Sequence, residues 1–363
     1  MSEKRKRGLF SRLLFFLVTV VVSAALLLSY SALFLNPEKA WYVTLAGILF
    51  PFLFILEAIL LVLSAFRRSS LFGWILAVMI PALFFSGRYV RFRDGGEEEG
   101  PVRIVSYNVG LFAHDGGKVA GDRLALADSV AKFLLGTDAD VILLQEFFLP
   151  SSTGIDRWLK TRFPGYHAEY YALTGRAGSA GNVTLSRRPV LNKGKIDFPS
   201  STNMALFTDV RLTDSTVLRL YNCHFESYNI SPDSLIHALG DEEEVESTGR
   251  KMERSIRQRP AQVGEVVRSA AESPVRSMIA GDFNDTPMSF TYQRLRRSRK
   301  DAFIEAGKGL GATYMRFRPF FRIDYILYPK DLKARTFSVL KAPYSDHAPI
   351  EATFVAEPNV TIQ

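Results

Sequence analysis

Several features that would quickly assign a chain to a protein class are missing here. Among 363 residues there is one cysteine, Cys223, which excludes an intrachain disulfide and a cysteine-rich zinc site. The sequence has no GxxxxGK[ST] loop and no GxGxxG turn after a strand, so the common glycine-rich phosphate loops are absent. It also has no internal repeat. The single cysteine leaves the redox compartment open.

An excess of one charge is also lacking in most of the chain. Residues 1–100 carry 11 Lys/Arg and 7 Asp/Glu, and the remaining 263 residues carry 34 and 30. The net charge of +8 is therefore split evenly, and +4 over the longer part is too weak to indicate nucleic-acid binding by itself. With 47% hydrophobic and 23% charged residues, the composition is that of a globular protein and excludes wholesale disorder.

Long apolar runs are present, and they are confined to the first hundred residues. Residues 13–35 and 69–87 are uncharged, and residues 40–66 contain a single charge, Glu57. Runs of this length are typical of helices that cross a hydrocarbon core of about 30 Å at about 1.5 Å per residue. We therefore predict a multi-pass membrane protein with about three transmembrane helices, in contact with the lipid bilayer through residues 13–87.

Two features of this region have alternative interpretations. The first run follows the basic residues 4–7 and also fits a secretory signal peptide, although two further runs follow it directly. A carboxylate in lipid is costly, so Glu57 is either functional or protonated against a neighbouring helix, and we favour the second interpretation.

The basic residues that flank the runs predict the orientation in the membrane. With three spans, one side receives seven basic residues, at positions 4–7, 12, 67 and 68, and the other receives four, at positions 39, 88, 91 and 93. The richer side is expected to be cytoplasmic, which places the C-terminal part on the non-cytoplasmic side. If the third run only lies on the membrane surface, this prediction reverses.

The rest of the chain is predicted to be a separate α/β domain. Residues 1–93 form the anchor, the polar glycine-rich residues 94–100 form a linker, and residues 101–363 form the second domain. Apolar periodicity predicts a helix over residues 123–135, and residues 227–258 are predicted to be a mobile excursion or a loop with one polar helix. Strands are predicted at residues 102–109, 141–144, 182–186, 217–225, 276–280, 321–328 and 350–355.

Polar residues repeatedly follow or end these apolar strands. Each one taken singly has an ordinary structural explanation, such as a turn, a cap or an ion pair. These explanations do not account for the whole set, because charged groups at the ends of buried strands are costly without a partner. The set comprises Asn108, Glu146, Asn222, His224, Asp282, Asn284, Asp324, Asp346 and His347.

The order of the motifs that carry these residues resembles that of a known family. SYN, LLQE, NCHF, AGDFND, RIDYI and SDHAP follow one another as in the endonuclease/exonuclease/phosphatase superfamily, the DNase-I-like fold. The resemblance covers about residues 102–354. It implies a four-layer αββα sandwich of two mixed sheets, and a Mg²⁺- or Mn²⁺-dependent hydrolysis of phosphodiester or phosphomonoester bonds.

The resemblance also implies roles for individual residues. Glu146 would be the principal metal ligand, with Asn108 and Asp346 close to the metal. Asp282 would activate the attacking water as a general base. The further implied roles are orientation of phosphate or water by Asn284, phosphate contact by His347 held by Asp324, and binding of the phosphate or assistance to the leaving oxygen by His224.

Other positions are assigned more weakly or depart from the family pattern. Asn182, in a segment similar to the family's mid-domain strand, is a substrate or structural contact, and Asn222 and Asn108 are candidate substrate contacts. Many nuclease members have an acidic residue where this chain has Gly110, so the number of metal ions stays open. Cys223 is expected to face away from His224 and to pack in the core.

Three substrate classes fit the predicted chemistry: nucleic acid, phospholipid head groups and soluble phosphate esters. Basic residues at positions 294–300, 316 and 318 would track a nucleic-acid backbone, face anionic lipid, or form a solvated surface. The alternative to an enzyme is a non-catalytic binding or scaffolding module on the same fold. The sequence indicates no protein partner.

Overall fold

The N-terminal region is helical. The computed structural model describes residues 3–92, 99–116, 118–199, 201–213, 216–228 and 241–356. One described helix is long and apolar enough to cross a membrane, or two if the bent pair α2 and α3 forms one span. The helices are α1 (Glu3–Ser31), α2 (Trp41–Ile48), α3 (Phe50–Phe66) and α4 (Phe72–Ser86).

Two of the three expected spans differ from continuous helices of 19 residues or more. The second run is broken at Leu49, where α2 and α3 meet at 58°. Pro51 lies in the first turn of α3 and has no N–H to continue the hydrogen bonding of α2, which explains the break. The third run holds a helix of 15 residues, about 22 Å long at about 1.5 Å per residue.

The helices form a bundle with one end on the rest of the chain. At the far end, Arg67 Nη2 donates to Ser11 Oγ at 2.8 Å, which joins the end of α3 to α1. At the near end, Gly47 of α2 packs directly against the Met288 carbonyl. There Arg88 Nη1 also donates to the Pro287 carbonyl at 2.8 Å.

Two mixed six-stranded sheets form the centre of the remaining chain. Their spatial orders are β12-β14-β11-β10-β9-β8 and β15-β16-β2-β5-β7-β6. Two small antiparallel pairs, β1 with β13 and β3 with β4, lie outside them. The strands are β1 (Val90–Arg91), β2 (Val102–Asn108), β3 (His114–Asp115), β4 (Lys118–Val119), β5 (Val141–Pro150), β6 (His167–Thr174), β7 (Gly178–Ser186), β8 (Val190–Asp197), β9 (Met204–Thr213), β10 (Thr216–His224), β11 (Arg276–Asp282), β12 (Arg299–Asp301), β13 (Gly309–Leu310), β14 (Asp324–Pro329), β15 (Leu332–Val339) and β16 (Ile350–Ala356).

Helices cover the outer face of each sheet. Side chains such as Ile104 and Leu220 fill the space between the sheets. Val130 of α5 packs on the outer face of one sheet, and Val263 of α7 packs on the other. The predicted four-layer αββα sandwich is thus confirmed. The helices of this part are α5 (Arg123–Leu135), α6 (Ile155–Arg162), α7 (Glu242–Ala271), α8 (Phe290–Arg296) and α9 (Ala302–Ala306).

The acidic segment after residue 227 contains one polar helix, the second of the two predicted forms. Asp241 caps α7 by accepting from the Glu243 N–H at 2.9 Å, and three glutamates in the first turn face the positive end of the helix dipole. Residues 229–240 lie outside the described residues. So do residues 93–98, which hold most of the predicted linker.

Candidate active site

Parallel strand pairing brings the predicted site residues to one edge of the space between the sheets. β2 ends at Asn108, and β10 and β11 end at His224 and Asp282. Because β2 pairs in parallel with β5, and β10 with β11, their carboxyl ends meet at this edge. β14 runs antiparallel to β11, so its first residue, Asp324, lies opposite Asp282.

An irregularity in β5 aims Glu146 into the site. The pairing of β5 with β7 shifts register between Leu144 and Phe147, and Glu146 has a φ of 49°. Its Oε1 lies 3.0 Å from Asn108 Nδ2 and 3.3 Å from His224 Nε2. Burial alone would raise the pKa of Glu146, but the neighbouring His224 and the Asn108 amide lower it to about 2.

Asp282 is fully buried at the centre of the site. Asn108 Nδ2 donates to its Oδ2 at 2.9 Å, and the Asn284 backbone N–H donates to its Oδ1 at 2.8 Å. Burial is the main cause that raises the pKa of Asp282 to about 6. The charge of His347 lowers this pKa, and the charge of Asp324 raises it further. A carboxylate with such a pKa is suited to accept a proton near neutral pH.

His347 and Asp324 form a buried carboxylate–imidazole pair. His347 Nδ1 lies 3.0 Å from Asp324 Oδ2, and its Nε2 faces Asp282 Oδ2 at 3.7 Å. The backbone N–H of Asp324 donates to Thr313 Oγ1 at 3.2 Å, which fixes the backbone that carries this carboxylate. Burial would lower the pKa of His347, but Asp324 and Asp282 raise it to about 10. The ring is therefore an imidazolium at neutral pH.

His224 approaches the same carboxylates from the other side. Its Nε2 lies 3.8 Å from Asp282 Oδ2, and its Nδ1 contacts Asn203 Nδ2 at 3.2 Å. Burial would lower the pKa of His224, but Glu146 and Asp282 raise it above its ordinary value. Asn203 also donates to the Phe225 carbonyl at 3.0 Å, so it holds the ring in place. No motif or strand pattern in the sequence pointed to Asn203.

The loop after β11 is fixed by buried contacts. Asn284 has a φ of 51° and lines the cleft, and its Nδ2 donates to the Phe225 carbonyl at 2.9 Å. Asp285 and Arg259 are both 1% exposed and form an ion pair at 2.9 Å. Such a buried pair is costly to break, so it holds the loop in one conformation.

Asp346 lies at the rim and pairs with a cation. Arg316 Nε is 3.2 Å from Asp346 Oδ2. Among the described residues, the carboxylate and imidazole atoms within 4.8 Å of one another form two groups: Glu146, His224 and Asp282, and Asp282, Asp324 and His347. Asp346 belongs to neither group. Its expected proximity to a metal stays a prediction.

The two asparagines of the inter-sheet space do not line the cleft. Asn222 Nδ2 donates to the Leu144 and Val183 carbonyls at 3.0 and 2.9 Å. Asn182 Nδ2 donates to the Met204 and Asn222 carbonyls at 3.3 and 3.1 Å. Both side chains are buried and join the two sheets. These contacts fit the structural role that the sequence left open for Asn182, and the second sheet covers the face of β10 on which Asn222 lies.

Cys223 faces the opposite side of β10, as expected. It is fully buried and packs with Tyr221 and Val263 in the layer under α7. Burial raises the pKa of its thiol far above the ordinary value, so it stays neutral.

The donor set suits a divalent cation. Glu146, Asp282, Asp324 and Asp346 place four carboxylates around the site, against two imidazoles and the guanidinium of Arg316. His224 Nε2 is buried without a hydrogen bond of good geometry. The excess of negative charge fits a bound cation, and the unpaired His224 Nε2 fits an anionic ligand beside it. Carboxylate oxygens are the donors that Mg²⁺ and Mn²⁺ prefer.

The site opens into a cleft of about 730 Å³. Part of its lining was not predicted from the sequence. Arg316 was noted only as a basic residue, and no sequence feature predicted that the N-terminal helices line the cleft. The aromatic residues around Arg316 could have indicated that this segment forms part of a binding surface. The unpredicted lining includes Ile48, Leu49, Phe52, Leu111, Tyr314, Arg316, Phe317 and Phe321.

Two packed mixed sheets, with the candidate active site at the edge where their strands end, are the phosphohydrolase fold of the DNase-I-like class. Residues 105–347 match the model of the Endonuclease/Exonuclease/phosphatase family, and the chain belongs to that family. Residues 11–89 match a second model, described as a domain of unknown function (DUF8431). Comparison with curated proteins finds no match.

Solved structures with this fold are similar at low sequence identity. The human nocturnin catalytic domain, solved with a bound sulfate anion, is 17% identical, with a TM-score of 0.53 over 73% of this chain and 97% of that one. A family member from Beutenbergia cavernae is 16% identical, with a TM-score of 0.54 over 72% of each chain. One from Bacteroides vulgatus is 17% identical, with a TM-score of 0.53 over 70% of this chain and 99% of that one.

Proposed function

We propose that the chain is a membrane-anchored, divalent-metal-dependent phosphohydrolase that cleaves phosphodiester bonds, with phosphomonoesters as further candidates. The observation that carries the proposal is the buried Asp282 carboxylate, which lies between the imidazoles of His224 and His347 and beside Glu146. The substrate classes that fit are nucleic acid, phospholipid and soluble phosphate ester.

The proposed chemistry is direct attack by water. Glu146 would be the principal residue that holds Mg²⁺ or Mn²⁺, together with Asn108 and Asp346. The cation, when bound, would neutralise charge on the phosphate oxygens. Asp282 takes a proton from the attacking water, which Asn284 orients. Water forms the new P–O bond as the ester P–O bond breaks, and no covalent enzyme intermediate is needed.

The two histidines act on the substrate anion. The His347 imidazolium, held by Asp324, contacts a phosphate oxygen, where its positive charge stabilises the charge that develops in the transition state. His224 binds the same phosphate or gives a proton to the leaving oxygen.

Residues 1–93 are proposed to anchor a catalytic domain of residues 101–363 by three membrane-spanning helices. The bundle has a largely apolar exterior, as at Leu13, Ile59 and Phe84. The contact between Arg67 and Ser11 supports an arrangement in which the basic residues 4–12 and 67–68 share one membrane side. The catalytic domain is then on the opposite, non-cytoplasmic side.

The test is hydrolysis of an activated phosphodiester, bis(4-nitrophenyl) phosphate, by the full chain in detergent with Mg²⁺ or Mn²⁺. Activity is expected to disappear with EDTA and to return when the metal is restored. Asp282→Asn removes the base but keeps the shape of the side chain, so we expect a loss of about 10²- to 10⁴-fold in kcat.

Asp138→Asn is the matched control, because Asp138 is an exposed carboxylate whose side chain is 80% exposed. It should retain wild-type activity. A wild-type chain that is folded but inactive on this ester, on DNA and on phospholipid with either metal would contradict the proposal and would favour a binding module.

A further inference from the structure

The lining of the cleft combines polar and apolar side chains. Glu146, Asn284 and His347 are among the polar residues, and Arg316 lies beside Asp346. Apolar residues come from the N-terminal helices, from the segment after β2 and from the loop before β14. They include Ile48, Leu49, Phe52, Leu111, Phe317 and Phe321.

Aromatic side chains of the loop at residues 314–321 contact both the N-terminal helices and the candidate active site. Phe52 of α3 contacts Phe320 with ring centroids 4.6 Å apart. In the same loop, Phe317 lies 5.0 Å from Phe321. The Tyr314 ring lies 5.1 Å from the ring of His347. Because residues 314–321 also carry two arginines, this loop has the composition found where proteins meet a membrane surface.

An exposed apolar stripe on α3 leads into the cleft. Leu49, Phe52, Leu56, Ile59 and Leu63 recur at spacings of three and four residues, and each is 40–50% exposed. At about 1.5 Å per residue the stripe is about 21 Å long, which exceeds the depth of about 15 Å of one hydrocarbon leaflet. Its first two members also line the cleft, so apolar surface is continuous from the bundle to the site.

We infer that the cleft takes the phosphate ester of a membrane lipid, with the hydrocarbon chain along the α3 stripe and the phosphate between Arg316 and His347. This inference rests on the proposed phosphohydrolase function. The ester enters sideways from the bilayer, past Leu49 and Phe52. Its hydrolysis returns the lipid portion to the bilayer and releases the polar portion to water.

The charges of the cleft disfavour a nucleic acid in the same place. A nucleic-acid backbone needs several unpaired cations along its path. Among the described residues that line the cleft, Arg316 is the one lysine or arginine, and it is paired with Asp346. The basic residues at positions 294–300 are not part of the lining.

The test compares two diesters with the same leaving group, 4-nitrophenyl hexadecyl phosphate and 4-nitrophenyl methyl phosphate, on the full chain in lipid nanodiscs. Phe52→Ala removes part of the apolar wall. The ratio of kcat/KM for the hexadecyl ester to that for the methyl ester is expected to fall about tenfold, since each buried apolar group contributes to chain binding.

Phe66→Ala is the matched control, because Phe66 is an exposed phenylalanine at the far end of the same helix. It should leave both esters and their ratio unchanged. An unchanged ratio in Phe52→Ala, or an equal fall in Phe66→Ala, would overturn the inference while the phosphohydrolase function stands.

A binding readout separates the inference from catalysis. Asp282→Asn in nanodiscs is irradiated with hexadecyl phosphate that carries a diazirine in its chain. Labelling of peptides that contain residues 49–56 and 314–321 supports the lipid site, even if no ester is hydrolysed. Labelling spread evenly over the apolar helices would overturn it.

Discussion

At the residue scale, burial and neighbouring charges separate the protonation states of three side chains in the candidate active site. Glu146, with a pKa of about 2, stays ionised, whereas Asp282, with a pKa of about 6, exchanges a proton near neutrality. His347, with a pKa of about 10, stays cationic. Groups with such different pKa values a few ångströms apart allow one site to combine a cation ligand, a base and an anion-binding group.

Asp324→Asn tests the imidazolium assignment. Asp324 is the largest charge contribution that raises the pKa of His347, so its removal lowers that pKa. The raised pKa keeps the His347 ring charged up to high pH, and in the variant the ring should lose its charge at a lower pH. We expect the alkaline limb of the pH–kcat/KM profile to move down by at least about one pH unit, with activity at neutral pH reduced about tenfold or more.

The pH–kcat/KM profile distinguishes an effect of Asp324 on the charge of His347 from a simple loss of structure. Asp197→Asn is the control, since Asp197 is an exposed carboxylate paired with Lys195. A lower rate with an unmoved alkaline limb in Asp324→Asn would show that Asp324 acts without setting the charge of His347.

At the element scale, the site depends on the close pairing of β10 with β11. Gly281 has a φ of 127°, and a Cβ there would lie 2.0 Å from the Cys223 carbonyl oxygen. Glycine is therefore required where the two strands approach, one residue before His224 and Asp282 at their ends.

Gly281→Ala is expected to destabilise the protein by about 3 kcal/mol, through overpacking and an unfavourable φ. The measurement is the free energy of unfolding of the full chain in detergent, from denaturant titration. Gly121→Ala is the control, because nothing lies within 4 Å of a Cβ at that position. Equal stability of the two variants would contradict the close approach.

At the scale of the whole molecule, the helices and the sandwich form one continuous unit among the described residues. Arg322 Nε donates to the Arg88 carbonyl at 3.0 Å, and β1 pairs with β13. The Gly311 N–H also donates to the Tyr89 carbonyl at 3.0 Å. These contacts hold the near end of the bundle against the sandwich, so that Leu49 and Phe52 form part of the wall of the cleft.

Reporter fusions after Gly100 test the membrane orientation. The proposed three spans, with the excess of basic residues at positions 4–12 and 67–68, would place this point on the non-cytoplasmic side. An alkaline phosphatase fusion is expected to be active, and a fluorescent-protein fusion exported in unfolded form is expected to be dark. The converse result would contradict the three-span arrangement.

The sequence by itself determined the family, the sandwich and most of the catalytic edge. Helix α5 was predicted with its observed ends, because a 3.6-residue apolar period needs only local information. His224 and Asp282 end their strands and His347 belongs to a short motif, so local pattern was enough to bring them together. Glu146 converges with them although it lies inside β5, where an irregularity in the strand turns it into the site.

The tertiary structure alone decided which polar side chains reach the cleft and what forms its apolar wall. Asn222 lies on the face that strand period predicts, but the second sheet covers it, and Asn182 is buried in the same space between the sheets. Leu49 and Phe52 reach the cleft because Pro51 breaks a long apolar run and the bend docks beside the site. Periodicity records which face of an element a side chain occupies. What packs against that face depends on contacts between residues far apart in the chain, and local pattern does not encode them.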